Sequence, residues 1–111
     1  MNIDLTLDKE TYREKHSLSV VIPVYNEGEN IVNVLNEWKD VFQELKINYV
    51  FILVNDGSSD DSLQKISDIK LPIILINKHN SGHGRSIRHG YEFTTVNKIS
   101  EFVLQIDSDG Q

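Results

Sequence analysis

The chain reads as an open, mostly parallel α/β sheet flanked by helices, and three observations carry that expectation. Four short β-branched or aliphatic runs recur along it: 18–24, 49–54, 73–76 and 102–106. Segments that separate them hold apolar residues at three-to-four spacing. Each apolar run ends in a polar, glycine-containing or acidic loop. Strand alternating with helix implies parallel strands joined by crossovers.

The first run, Leu18-Ser19-Val20-Val21-Ile22-Pro23-Val24, is nearly continuous, as expected of a strand covered on both faces. Asn26 is placed to cap the next helix, with Glu29 three residues on in the capping-box position. That helix carries Ile31, Val34, Leu35, Trp38, Val41, Phe42 and Leu45 as one apolar stripe about five turns long. The second strand, 49–54, leads into Asn55-Asp56-Gly57-Ser58-Ser59-Asp60. A shorter helix follows with Leu63, Ile66 and Ile69 on one side, and Pro72 ends it before the strand 73–76. A polar loop at 77–84 precedes a helix from about 85 to 96, and the final strand, 102–106, meets Asp107-Ser108-Asp109-Gly110-Gln111. Residues 1–17 have no persuasive period and are expected to be a leader, loose or a peripheral helix. Residues 18–111 form the domain.

Composition narrows the class. At 111 residues, 39% hydrophobic and 25% charged, the chain is an ordinary globular one. A net charge of −6 argues against a nucleic-acid partner bound through its phosphates. There is no cysteine, hence no disulfide framework and no thiolate metal site, and the expected setting is cytoplasmic. Its apolar runs are too short to cross a bilayer, so membrane association is expected only through sequence beyond residue 111. His79, His83 and His89 lack the spacing of a common zinc site.

In open parallel sheets, ligands bind outside the carboxyl ends of the strands. Every polar cluster falls there. Pro23, Tyr25 and Glu27 follow the first strand; Asp56 follows the second. Gly82, Gly84 and Arg85 lie in the loop and helix start after the third, and Asp107 and Asp109 follow the fourth. Asp56 can accept hydrogen bonds from a ribose hydroxyl or a base N–H. Tyr25 can stack on a base or pack in the core, and Pro23 shapes a strand end because it cannot donate to the ladder. A helix start with Arg85 and Arg88 favours anions, although Arg88 reads best as surface charge. Asp107 and Asp109, two apart on an extended segment, can point the same way and suit a hard cation, Mg²⁺ or Mn²⁺. Like charges ~4 Å apart cost roughly 4 kcal/mol at an effective dielectric near 20. An acidic rim that receives a diphosphate therefore implies such a metal.

Taken in order, Val20-Val21-Ile22-Pro23-Val24-Tyr25-Asn26-Glu27, Val54-Asn55-Asp56-Gly57-Ser58-Ser59-Asp60, Asn80-x-Gly82-His83-Gly84 and Asp107-Ser108-Asp109 closely resemble the motifs of family 2 glycosyltransferases. The Asp-Ser-Asp-Gly-Gln ending looks most like the branch of dolichyl- and polyprenyl-phosphate sugar synthases. The resemblance spans 18–111 and implies a truncated, Rossmann-like GT-A fold. It also implies an inverting, metal-dependent transferase that uses a UDP- or GDP-linked sugar, in cell-wall or glycolipid biosynthesis, with a polyprenyl phosphate or glycan as acceptor. By position, Pro23, Tyr25, Glu27 and Asp56 would line the nucleoside pocket. Asp107 and Asp109 would form the Asp-x-Asp motif that holds ribose, metal and diphosphate. Many members carry Lys where this chain has His83. Members place the catalytic base and acceptor pocket after the Asp-x-Asp motif, so these 111 residues are expected to bind donor without turning it over, and no catalytic base is assigned. Two alternatives stand beside this reading: a nucleotide-sugar-binding module without catalysis, and a phosphatase of the haloacid-dehalogenase type, whose nucleophile motif is also a strand ending in Asp-x-Asp.

Overall fold

The computed structural model describes residues 2–4, 16–24, 28–56, 62–78, 88, 90–92, 94–95 and 99–106. They form one five-stranded sheet. The strands are β1 (Asn2–Asp4), β2 (His16–Val24), β3 (Tyr49–Asp56), β4 (Ile73–Lys78) and β5 (Ser100–Gln105), with helices α1 (Gly28–Glu44) and α2 (Ser62–Ser67). Their spatial order is β1-β4-β3-β2-β5. The four longer strands are mutually parallel, and β1 pairs antiparallel with β4 at Asn2↔Asn77, Ile3↔Ile76 and Asp4↔Leu75. Described residues 88, 90–92, 94 and 95 are helical and belong to the β4–β5 crossover.

The strand alternation sorts the core into two layers. Val20, Ile22 and Val24 of β2 join Phe51 and Leu53 of β3 and Ile73 and Leu75 of β4 against Ile31, Val34, Leu35 and Phe42 of α1 and Ile66 of α2. The intervening residues, Val21, Val50, Ile52, Val54, Ile74 and Ile76, form the opposite layer with Ile99. Side chains of a strand point alternately to its two faces, so an unbroken apolar run is what a sheet covered on both sides needs.

Four features differ from expectation. Residues 2–4, within the expected leader, form an edge strand; Ile3, Leu5 and Leu7 alternate with Asn2, Asp4 and Thr6, a period of two that is short but present. Strand β2 starts at His16, where the His16 amide donates to the Ile99 carbonyl at 3.2 Å and Nδ1 lies 3.3 Å from the Asn48 side-chain oxygen. Val41 and Leu45 lie outside the core, 40% and 62% exposed: Val41 is on the flank of the α1 stripe, and Leu45 lies past the helix end. The fourth run is not a covered strand either. Among the described strands β5 is outermost, and Phe102 and Leu104 are 65% and 40% exposed, because no second described strand and no described helix covers that part of the face.

Helix α1 ends in a Schellman motif. The Ile47 amide donates to the Phe42 carbonyl at 2.9 Å, and the Lys46 amide to the Gln43 carbonyl at 3.2 Å. Lys46 consequently adopts φ 57°, a left-handed conformation that a side chain disfavours. Lys46→Gly is therefore expected to stabilise the chain by about 0.5–1 kcal/mol, read as a rise in thermal midpoint. An unchanged or lower midpoint would contradict this account of the turn.

Aromatic rings fill the α1–sheet contact. Phe42 lies 5.6 Å from Trp38, 5.0 Å from Tyr49 and 6.3 Å from Phe51 between centroids, and Tyr49 meets Phe51 edge-on at 5.2 Å. Burial, and secondarily the Asp40 carboxylate, push the Tyr49 phenol above its ordinary pKa. The fold therefore favours the neutral phenol. The stability this contributes is fully present below pH ~10 and is lost as pH rises through the raised value. Tyr49→Phe should lose less stability than the parent between neutral and strongly alkaline pH, measured as a difference between two urea titration series.

Candidate functional site

The strand order sets a reversal at one edge of the sheet. From β2 the chain moves outward to β3 and β4 on one side, then returns to place β5 on the other. That reversal makes the carboxyl ends of β2 and β5 a topological switch point, the place where such sheets bind ligands. The tips of β5, β2 and β3 are consecutive neighbours, so the loops that follow them leave from one edge of the sheet.

Register sharpens this. The β2–β5 ladder is last paired at Val21↔Gln105, extended by the Ile106 amide donating to the Val21 carbonyl at 3.0 Å. The β2–β3 ladder continues to Val24↔Asn55, and β3–β4 to Asp56↔Lys78. Pro23 is buried in β2 opposite Val54, at the level where pairing with β5 has ended. A residue with no N–H to donate is tolerated in a central strand at just such a level.

Asp56 is the last residue of β3, one position beyond Asn55, which is buried at 5% exposure. The backbone of Asp56 is thus set at the carboxyl edge; its side chain lies outside the described residues, as do Tyr25, Glu27, Gly82, Gly84, Arg85, Asp107 and Asp109. The structure brings together the strand ends from which these residues depart, while the side-chain arrangement expected of them stays an expectation. Sequence reasoning passed over two positions at this edge. Asn55 is a polar residue buried in a strand tip, and a polar residue closing a β-branched run was its signal. Lys78, the last residue of β4, is the ladder partner of Asp56, which only the register reveals.

Among the described residues no group of three or more acidic or histidine side chains could hold a metal ion. Nor is any described helix long and apolar enough to cross a membrane.

A mostly parallel sheet with its switch point beside the first long strand defines the class of doubly wound, Rossmann-like α/β domains. Within that class the chain belongs to glycosyltransferase family 2, whose family model matches residues 19–111. Two relatives, the undecaprenyl-phosphate 4-deoxy-4-formamido-L-arabinose transferases of Enterobacter sp. (strain 638) and Proteus mirabilis (strain HI4320), are 32% and 33% identical over 102 and 107 residues. The matches cover 86% and 91% of this chain but 30% and 31% of those proteins. The chain thus spans less than a third of the length of the curated relatives it matches.

Solved structures agree on the GT-A fold. Residues 1–349 of S. aureus TarS superpose with a TM-score of 0.69 at 26% identity, covering 84% of this chain and 27% of that one. The M. tuberculosis glucosyl-3-phosphoglycerate synthase shares the fold at a TM-score of 0.56 and 22% identity, over 90% of this chain and 36% of the other. Family membership over 19–111 includes the Asp107-Ser108-Asp109 ending, which removes the phosphatase alternative.

Proposed function

We propose that the chain is the donor-binding part of an inverting, metal-dependent glycosyltransferase that moves a sugar from a UDP- or GDP-linked donor to a polyprenyl phosphate or a glycan. The observation that supports this most is the strand order, with the tips of β3, β2 and β5 side by side. Asp56 ends β3, and Asp107 follows Gln105 of β5 by two residues, so both acids depart from that one edge. Pro23, Tyr25, Glu27 and Asp56 line the nucleoside side. Gly82, Gly84 and Arg85 approach the diphosphate. The kinship with undecaprenyl-phosphate sugar transferases supports a lipid phosphate as acceptor.

The donor set fits a hard divalent cation. Asp107 and Asp109 offer carboxylate oxygens only, and a sequence without cysteine has no thiolate to compete with them. Mg²⁺ or Mn²⁺ held there supplies positive charge against the leaving diphosphate. The chain's own residues bind and orient the donor: Asp56 accepts from base or ribose, and Arg85 adds charge to the phosphate side. None of the 111 residues is assigned the proton abstraction from an acceptor hydroxyl, and an already ionised lipid phosphate needs less of it.

A thermal-shift panel of UDP- and GDP-sugars with Mn²⁺, and with EDTA in its place, tests this. Ligand at a hundred times its dissociation constant stabilises a folded chain by about 2.7 kcal/mol, so a clear metal-dependent rise in midpoint is expected. Nucleotide-sugar binding that EDTA leaves unchanged would sink the metal reading. No shift with any donor would sink the donor reading as well.

A further inference from the structure

Gly90 makes an unusually close approach. A Cβ built on it would stand 2.4 Å from Val21 Cγ1 and 3.3 Å from both Val21 Cγ2 and Val54 Cγ2. Val21 is fully buried and β-branched, so its methyls have little room to turn away. One turn further on, Thr94 is buried at 1% exposure and its hydroxyl donates to the Gly90 carbonyl at 2.9 Å. Gly90 and Thr94 are thus the small residues that face the sheet, while Arg88, Tyr91, Glu92 and Thr95 are exposed. The crossover helix lies against β2 and β3 at a distance only glycine permits.

The contact also has a definite height. Val21 is three residues below the end of β2 and Val54 two below the end of β3, or roughly 7–10 Å beneath the tips at strand spacing. Gly90 thus packs against the sheet within three residues of the two strand tips from which the loops of the candidate site leave.

We infer that Gly90 is a positioning residue for donor binding: its contact with Val21 and Val54 sets how closely the crossover helix packs on β2 and β3 just below their tips, and with it the geometry of that edge and its affinity for the donor. The inference rests on the donor-binding reading proposed above. In an NAD-type fingerprint a glycine likewise serves helix–strand packing, but there on the first crossover; here the helix is the one between β4 and β5.

The test combines Gly90→Ala, Val21→Ala and the double variant of the 111-residue chain. Two readouts are taken: titration with UDP- and GDP-sugars plus Mn²⁺, and ligand-free amide chemical shifts of Val24, Asn55 and Asp56. Gly90→Ala should weaken donor binding by about tenfold or more, in line with the sensitivity of bound geometry to displacements near 1 Å. It should also move the three amide signals. The double variant, in which the added methyl enters the space vacated by Val21, should restore most of both. Parent-like binding by Gly90→Ala, or a double variant as weak as the single one, overturns the inference. If the parent binds no donor, the functional reading falls by itself, and the amide signals decide the remainder: unmoved signals in Gly90→Ala overturn the positioning role, moved and restored ones uphold it. Should Gly90→Ala fail to fold, Gly90→Ser in the Val21→Ala background takes its place, with binding equal to that of Val21→Ala overturning the inference and weaker binding upholding it.

Discussion

Phe42→Ala is expected to cost about 3–5 kcal/mol of stability, because the ring is the hub of the α1–sheet contact and the space it leaves has stiff walls. Phe42 is 3% exposed and touches Trp38, Tyr49 and Phe51. Two of those neighbours stand on β3, a strand held on both sides by β2 and β4, so they have little freedom to collapse inward. Domains of this size are stable by only 5–15 kcal/mol in general, so such a loss is a large share of the whole. The thermal midpoint should fall by roughly 15–30 °C. Phe42→Leu, which keeps most of the volume, should lose much less. Near-equal losses for the two variants would show that ring contacts, and not the cavity, dominate this site.

The second large effect concerns the acidic ending. Asp107→Ala and Asp109→Ala should each weaken metal-dependent donor binding at least about 100-fold, since even outer-shell partners of metal sites account for 10–100-fold. The sign without metal is the opposite. Each substitution removes a negative charge from a rim where like charges cost roughly 4 kcal/mol at ~4 Å and an effective dielectric near 20, so binding in EDTA should hold steady or improve. Asp68→Ala, an exposed acid at the end of α2, is the control for a general change of charge and should alter neither value. Equal losses with and without Mn²⁺ in the two variants would mean that Asp107 and Asp109 touch the donor itself and hold no cation.

Much of this molecule was legible because its signals are local. Four β-branched runs with amphipathic segments between them predict parallel strands and crossovers; Pro72 marks the start of β4, but α2 ends at Ser67, before Ile69 and well short of the proline expected to end it. The GT-A fold and the family follow from motifs that lie along the chain in order. Burial was less legible where it depends on neighbours brought in from far away. Phe102 and Leu104 look like core in sequence and are exposed, because β5 is outermost among the described strands. The short alternation around Ile3 became a strand only because β4 offered it an edge. Asn55 and Lys78 acquire meaning through ladder partners that no local pattern names.

By itself, then, the chain's order of residues determined which segments are strands and helices, that the strands run parallel, and that polar chemistry gathers after each strand, since propensity, periodicity and turn chemistry act over a few residues. Only the tertiary structure decided that β5 returns beside β2, that three strand tips stand together, and that Gly90 meets Val21 across 69 positions of sequence. Those are matters of long-range packing, where the free energy depends on which surfaces exclude water from one another.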